Sequence, residues 1–110
     1  MAYDEDLADR IRELLGPEPG LTEKRMFGGL GFMINGNMAV AASGQGGLLV
    51  RVPPDDTDRL REDEHVEPMV MRGREMRGWL RVGDVGLRTR GQLEDWVERG
   101  TAYTRSLPPK

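Results

Sequence analysis

The sequence predicts an α+β domain of two layers, an antiparallel sheet of about five strands with helices packed on one face. Three observations carry this reading. Asn35-Gly36 stands between the apolar runs Phe32-Met33-Ile34 and Met38-Ala39-Val40. That is the pattern of a two-residue hairpin turn, which needs positive φ at both central positions. Apolar residues recur at helical spacing near both ends, as Leu7, Ile11, Leu14 and Leu15 and again as Leu93, Trp96 and Val97. Between these ends, short strand-like runs are punctuated by Ser43-Gly44-Gln45-Gly46-Gly47, Pro53-Pro54 and Arg72-Gly73-Arg74.

In chain order, Asp4 to Leu15 reads as an amphipathic helix, with Asp4 as N-cap and Gly16-Pro17 as its stop. Thr22 to Phe27 begins the sheet. Gly28, Gly29 and Gly31 then read as a bulge or tight bend before the Asn35-Gly36 hairpin. A phosphate cradle is the weaker reading, because the nucleotide fingerprints need a helix after the glycines and a strand follows here. Leu48 to Val52 is a fourth strand, ended by Pro53-Pro54. Asp55 to Glu64 reads as a short, surface-lying helix capped by an Asp. His65 to Met69 reads as a loop that carries Val66 and Met69 onto the core. Glu75 to Val82 is a strand in which Met76, Leu80 and Val82 face in, while Glu75, Arg77, Trp79 and Arg81 share the other face. Thr89 and Gln92 form a capping box ahead of a last helix that buries Leu93, Trp96 and Val97.

Composition excludes several functions. A chain of 110 residues is read as one domain, 1–110. It has no Cys and a single His, so a disulfide framework, a thiol nucleophile and a zinc site are not expected. The absence of a long apolar run and of a signal-peptide core points to a cytoplasmic protein with no membrane contact. Neither a phosphate loop nor a Ser-His-Asp order can be placed, the acids of Asp55–Glu64 do not follow a calcium-loop spacing, and His65 reads as structural. No enzyme activity and no cofactor are therefore expected.

The net charge is −3, yet Arg72, Arg74, Arg77, Arg81, Arg88 and Arg90 face only Glu75 and Asp84 within Arg72–Arg90. That segment carries +4 and leaves −7 for the remainder. A local positive face on an acidic protein follows. Trp79 among arginines is its most functional-looking feature, since both residue types are enriched in binding hot spots. Arg72, Arg74, Arg77, Trp79 and Arg81, with Arg25, are the candidate partner-binding residues. Direct nucleic-acid binding through the same arginines is the alternative, and a cover over Trp79 by a helix or a dimer partner is the structural one. The methionines at 26, 33, 38, 69, 71 and 76 read first as adaptable core filler and second as a partner groove.

The block Arg25-Met26-Phe27-Gly28-Gly29, followed by Gly31-Phe32 and by Asn35-Gly36-Asn37-Met38, resembles the signature of the TfoX/Sxy N-terminal domain family. Leu48–Val50, Gly78-Trp79, the closing helix and Ser106-Leu107-Pro108-Pro109 match it in order. The structural motif is thus Met26, Phe27, Gly28, Gly29, Gly31, Asn35 and Gly36. Ala39, Val40 and Ala41 stand where the family carries aromatic residues. The resemblance implies a fold similar to that of secretion chaperones, which is often used for protein–protein contact and often dimeric. It implies a bacterial, non-enzymatic regulatory domain related to coactivators of competence genes, whose protein partner is a transcription factor of the catabolite-activator type. Two-domain members carry a helical C-terminal domain after this one; with the sequence ending at Lys110, a single-domain relative is expected.

Overall fold

Asp4 caps the first helix, α1 (Glu5–Leu15), by accepting the Leu7 N–H at 3.1 Å. Gly16 ends it with φ 42, returning its N–H to the Arg12 carbonyl. Both ends follow the sequence expectation. The computed structural model describes residues 3–26 and 28–109. Phe27 therefore lies outside the described residues. The sheet then builds from β1 (Leu21–Met26), β2 (Gly29–Ile34), β3 (Asn37–Ala42) and β4 (Leu48–Arg51). Asn35 and Gly36 turn the β2–β3 hairpin with φ of 51 and 86, the left-handed pair that its sequence predicts.

A 3-10 turn at Pro54–Asp56 leads into α2 (Thr57–Leu60), one turn long. The expected helix over Asp55–Glu64 is thus much shorter, with no side-chain cap from Asp56. Its Leu60 is buried against the core. Next come β5 (Val66–Met71) and β6 (Arg74–Val82), joined through Arg72 and Gly73 at φ 53 and 78. The last helix is α3 (Arg90–Arg105), opened by the Thr89–Gln92 capping box.

The β5 strand is a correction. His65 to Met69 was expected as a loop, and it contains Pro68, which cannot donate to a ladder. Strand order is β1-β2-β3-β4-β6-β5, so β5 is an edge, where a proline is tolerated. All pairings are antiparallel, and the sheet has six strands rather than about five.

The pleat separates two faces. Leu30, Phe32, Val40, Leu48, Val50, Leu80 and Val82 point to one side and meet Leu7, Ile11, Leu15, Leu93 and Val97 of α1 and α3. Full burial of such a side chain contributes roughly 1.5–3 kcal/mol, so these stripes rather than local propensity hold the helices. Gly100 lets α3 lie close to the sheet: a Cβ there would stand 2.7 Å from the Ala39 carbonyl oxygen. Trp96, expected as core, is half-buried at the core edge with the Arg99 guanidinium 5.3 Å from its ring centre.

Candidate partner-binding face

The second face of the sheet has no helix over it among the described residues. Its membership follows from the registers. Lys24 pairs with Gly31 and Met26 with Gly29, while Met33 pairs with Met38 across an irregularity that leaves Ala39 extra on β3. Ala41 pairs with Leu49, Arg51 with Trp79, Leu49 with Arg81, and Arg81 with Glu67. Directly opposed residues share a face, so all of these lie away from α1 and α3. Alternation along β5 adds Met69 and Met71.

The centre of this face is small and its surround is soft. Gly29, Gly31 and Ala41 occupy the floor, and five methionines stand around them. Met26 of β1 and Met69 and Met71 of β5 line one cavity with Met38, Leu49 and Arg81, of about 240 Å³. The strands β1 and β5 are opposite edges of the sheet. The sheet therefore curls, without closing, and this face is its concave side. A larger cleft of about 560 Å³ lies between the end of α1, the Pro17–Pro19 loop and α3. It is walled by Glu94, Asp95 and Glu98 and crossed by the Glu18–Arg105 ion pair, and it holds none of the candidate residues.

The candidate residues divide. Trp79 lies on the concave face with the Arg51 guanidinium 5.2 Å from its ring centre, a cation–π pair between adjacent strands. Arg81 is beside it, donating to Gln45 and, at 3.1 Å, to the Gly46 carbonyl. Arg74 pairs with Met71 and shares that face. Arg77 does not. Gly78 is buried at φ 88, and its N–H donates to the Thr57 hydroxyl while its carbonyl accepts from Val52. The ladder jumps there from Pro68–Leu80 to Val70–Glu75, five residues along β6 against two along β5. This bulge breaks the expected alternation. It turns Arg77 toward the Pro54 carbonyl at 2.9 Å, with Asp58 at 3.6 Å, and leaves Met76 exposed rather than facing in. Arg25 opposes Leu30 and so lies on the helix side, two residues from Glu23, which bonds Arg12 of α1. Arg72 stands at the exposed tip of the β5–β6 turn.

The basic segment is thus not one face. Arg90 reaches back to Glu13 of α1, and Arg77 meets Asp58. The residue that completes the Trp79 site is Arg51, which sequence reading passed over; its only signal was the alternation Leu48, Val50 in and Leu49, Arg51 out.

Around the helices, Arg12, Arg61, Arg77, Arg90 and Arg105 each meet a carboxylate within 4 Å. On the concave face, Lys24, Arg51, Arg74 and Arg81 make no ion pair among the described residues, and Glu67 is the one acid sharing that face. No cluster of His, Cys, Asp or Glu that could hold a metal occurs among the described residues. His65 packs on Gly86, with Nε2 3.5 Å from Glu64. Of the sequence motif, Gly28 serves the β1–β2 turn at φ 76 and Gly29 and Gly31 are ladder positions in β2, rather than a bend between strands.

The fold thus presents a curled antiparallel sheet with helices on its convex side and an apolar, cationic concave side. The family comparison gives the identity of the domain. The model of the TfoX N-terminal domain matches residues 13–103, nearly the whole chain, and the chain belongs to that family. No match was found among curated proteins or among solved structures. No helix among the described residues is long and apolar enough to cross a membrane.

Proposed function

We propose that this chain is a non-enzymatic regulatory domain that works by holding a protein partner, a transcription factor in the reading that the family suggests, on the concave face of its sheet. The observation that carries the reading is the Trp79–Arg51 pair beside Arg81, on a face rich in methionine and in cations without carboxylate partners. Aromatic and Arg side chains concentrate binding energy at interfaces, and Met adapts to a partner's shape. The division of Arg72, Arg74, Arg77 and Arg25 among different surfaces speaks against a phosphate-tracking stripe, which needs its cations aligned.

The test is a pair of measurements on the purified chain. Titration with duplex DNA at several salt concentrations is expected to show no binding; affinity that falls steeply with added salt would overturn the reading. Association with candidate transcription factors, followed by calorimetry, is expected with the wild-type chain and lost in Trp79→Ala/Arg81→Glu. Retention of binding by that variant would move the contact off this face.

A further inference from the structure

The reading above leaves the chemistry of the partner open, and the concave face is specific enough to assign it. We infer that the cavity between the sheet edges takes a protein segment that presents a bulky apolar side chain flanked by Asp or Glu. The inference rests on the interaction reading and adds the class of ligand.

Two observations argue for that class. The first is shape and polarity. The cavity of about 240 Å³ is bounded by Met26, Met38, Leu49, Met69 and Met71, none of which is fully buried. Thioethers are flexible and polarizable, so such a lining accommodates an inserted aliphatic or aromatic group. Met38, which lines the cavity, lies over Gly31: a Cβ there would stand 2.9 Å from its sulfur. The second is charge. Arg81 lines the cavity, and Lys24, Arg51 and Arg74 share its face of the sheet; none of the four makes an ion pair among the described residues, and Glu67, opposite Arg81, is the one acid there, although the chain carries an excess of acids. Elsewhere Arg12, Arg61 and Arg105 meet carboxylates. A surface left cationic on an acidic protein selects an acidic partner and repels a basic one. The same argument disfavours a second copy seated face to face, because an isologous contact would bring these cations against one another.

The experiment uses three fluorescent synthetic peptides of equal length and the full chain, followed by anisotropy at low and physiological salt. One peptide sets Phe and Leu among Asp and Glu, one keeps Phe and Leu but replaces the acids by Lys, and one keeps the acids but replaces Phe and Leu by Ser. The first is expected to bind at least tenfold more tightly than either of the others. Met38→Glu is expected to abolish that binding and Arg74→Glu, on the exposed rim, to weaken it severalfold. Met76→Glu, on the bulge outside the cavity, is expected to leave it unchanged. Since a charge at position 38 can perturb folding, the rim variant and a thermal melt of each protein keep the test decisive.

Equal binding of the Lys peptide, or of the Ser peptide, would overturn the assignment. So would a dimer in sedimentation that Met38→Glu dissociates, which would make a second copy the occupant. A transcription factor that binds the wild-type chain and Met38→Glu or Arg74→Glu alike, yet is lost in Trp79→Ala/Arg81→Glu, would overturn this inference and leave the interaction reading standing.

Discussion

The sulfur of Met38 fills the space above Gly31, where a Cβ would lie 2.9 Å from it. The neighbour that would have to move is the end of a flexible side chain. Gly31→Ala is therefore expected to change stability by less than about 1 kcal/mol, the strain being offset by the strand's preference for Ala over Gly. Its effect should instead fall on the cavity, raising the dissociation constant of an acidic, apolar peptide severalfold. Urea unfolding and peptide anisotropy on one preparation separate the two effects.

Gly100 gives the opposite result by the same geometry. A Cβ there meets the Ala39 backbone oxygen at 2.7 Å and the Val40 and Val50 methyl groups at 3.0 and 3.2 Å. Backbone in a central strand cannot swing aside, so α3 must lift from the sheet. Overpacking of this kind costs roughly 1–3 kcal/mol, against about 1 kcal/mol gained from helix propensity. Gly100→Ala is expected to lower the urea midpoint without changing the peptide dissociation constant. An unchanged or raised midpoint would contradict the packing described.

The fold was legible where a local signal and the tertiary structure agree. Asn35-Gly36, the Asp4 cap and the Thr89–Gln92 box each act within a few residues, and each is found as read. The candidate site was legible only in part. Period-two alternation placed Arg77 with Trp79 and Arg81, but the bulge at Gly78 inserts extra residues and changes the side to which Arg77 turns. That bulge depends on Thr57 and Val52, remote in sequence. Pro68 hid β5, because its tolerance depends on an edge position that only the full strand order supplies. The methionines were read first as filler and only second as a partner groove, since the sequence does not show that β1 and β5 curl toward each other.

Two carboxylates should make stability depend on pH. A hydrogen bond from Arg105 lowers the Glu18 pKa from its ordinary 4.5, against desolvation that raises it. Arg12 does the same for Glu23. A carboxyl whose folded pKa is depressed stabilises the fold above the unfolded value, and that contribution is lost as pH falls through the folded one. Glu18→Gln is thus expected to be less stable than wild type at pH 7 by under about 1 kcal/mol, as befits an ion pair near the surface. The gap should close as pH is lowered past the ordinary carboxylate range. A gap constant with pH would show that the pair contributes through packing alone.

Thr101 and Thr104 are both buried on α3, and only one of their hydroxyls has a partner. The Thr101 hydroxyl donates to the Val97 carbonyl at 2.7 Å, whereas the Thr104 hydroxyl has no partner among the described residues. A buried hydroxyl without a hydrogen bond costs about 1–3 kcal/mol. Thr104→Val, which keeps the shape, is expected to raise stability by about 1 kcal/mol in urea unfolding. A loss of stability there would mean that the hydroxyl is bonded in solution.

The central claim is that partners seat on the concave face of the sheet. It is tested most directly by the methionine ε-methyl NMR spectrum of the chain, recorded as the acidic, apolar peptide is added. The expected result is movement of the Met26, Met38, Met69 and Met71 methyl signals, with Met76, exposed outside the cavity, unmoved. An unchanged spectrum at saturating peptide, or changes confined to Met76 and to the amides of α1 and α3, would contradict it.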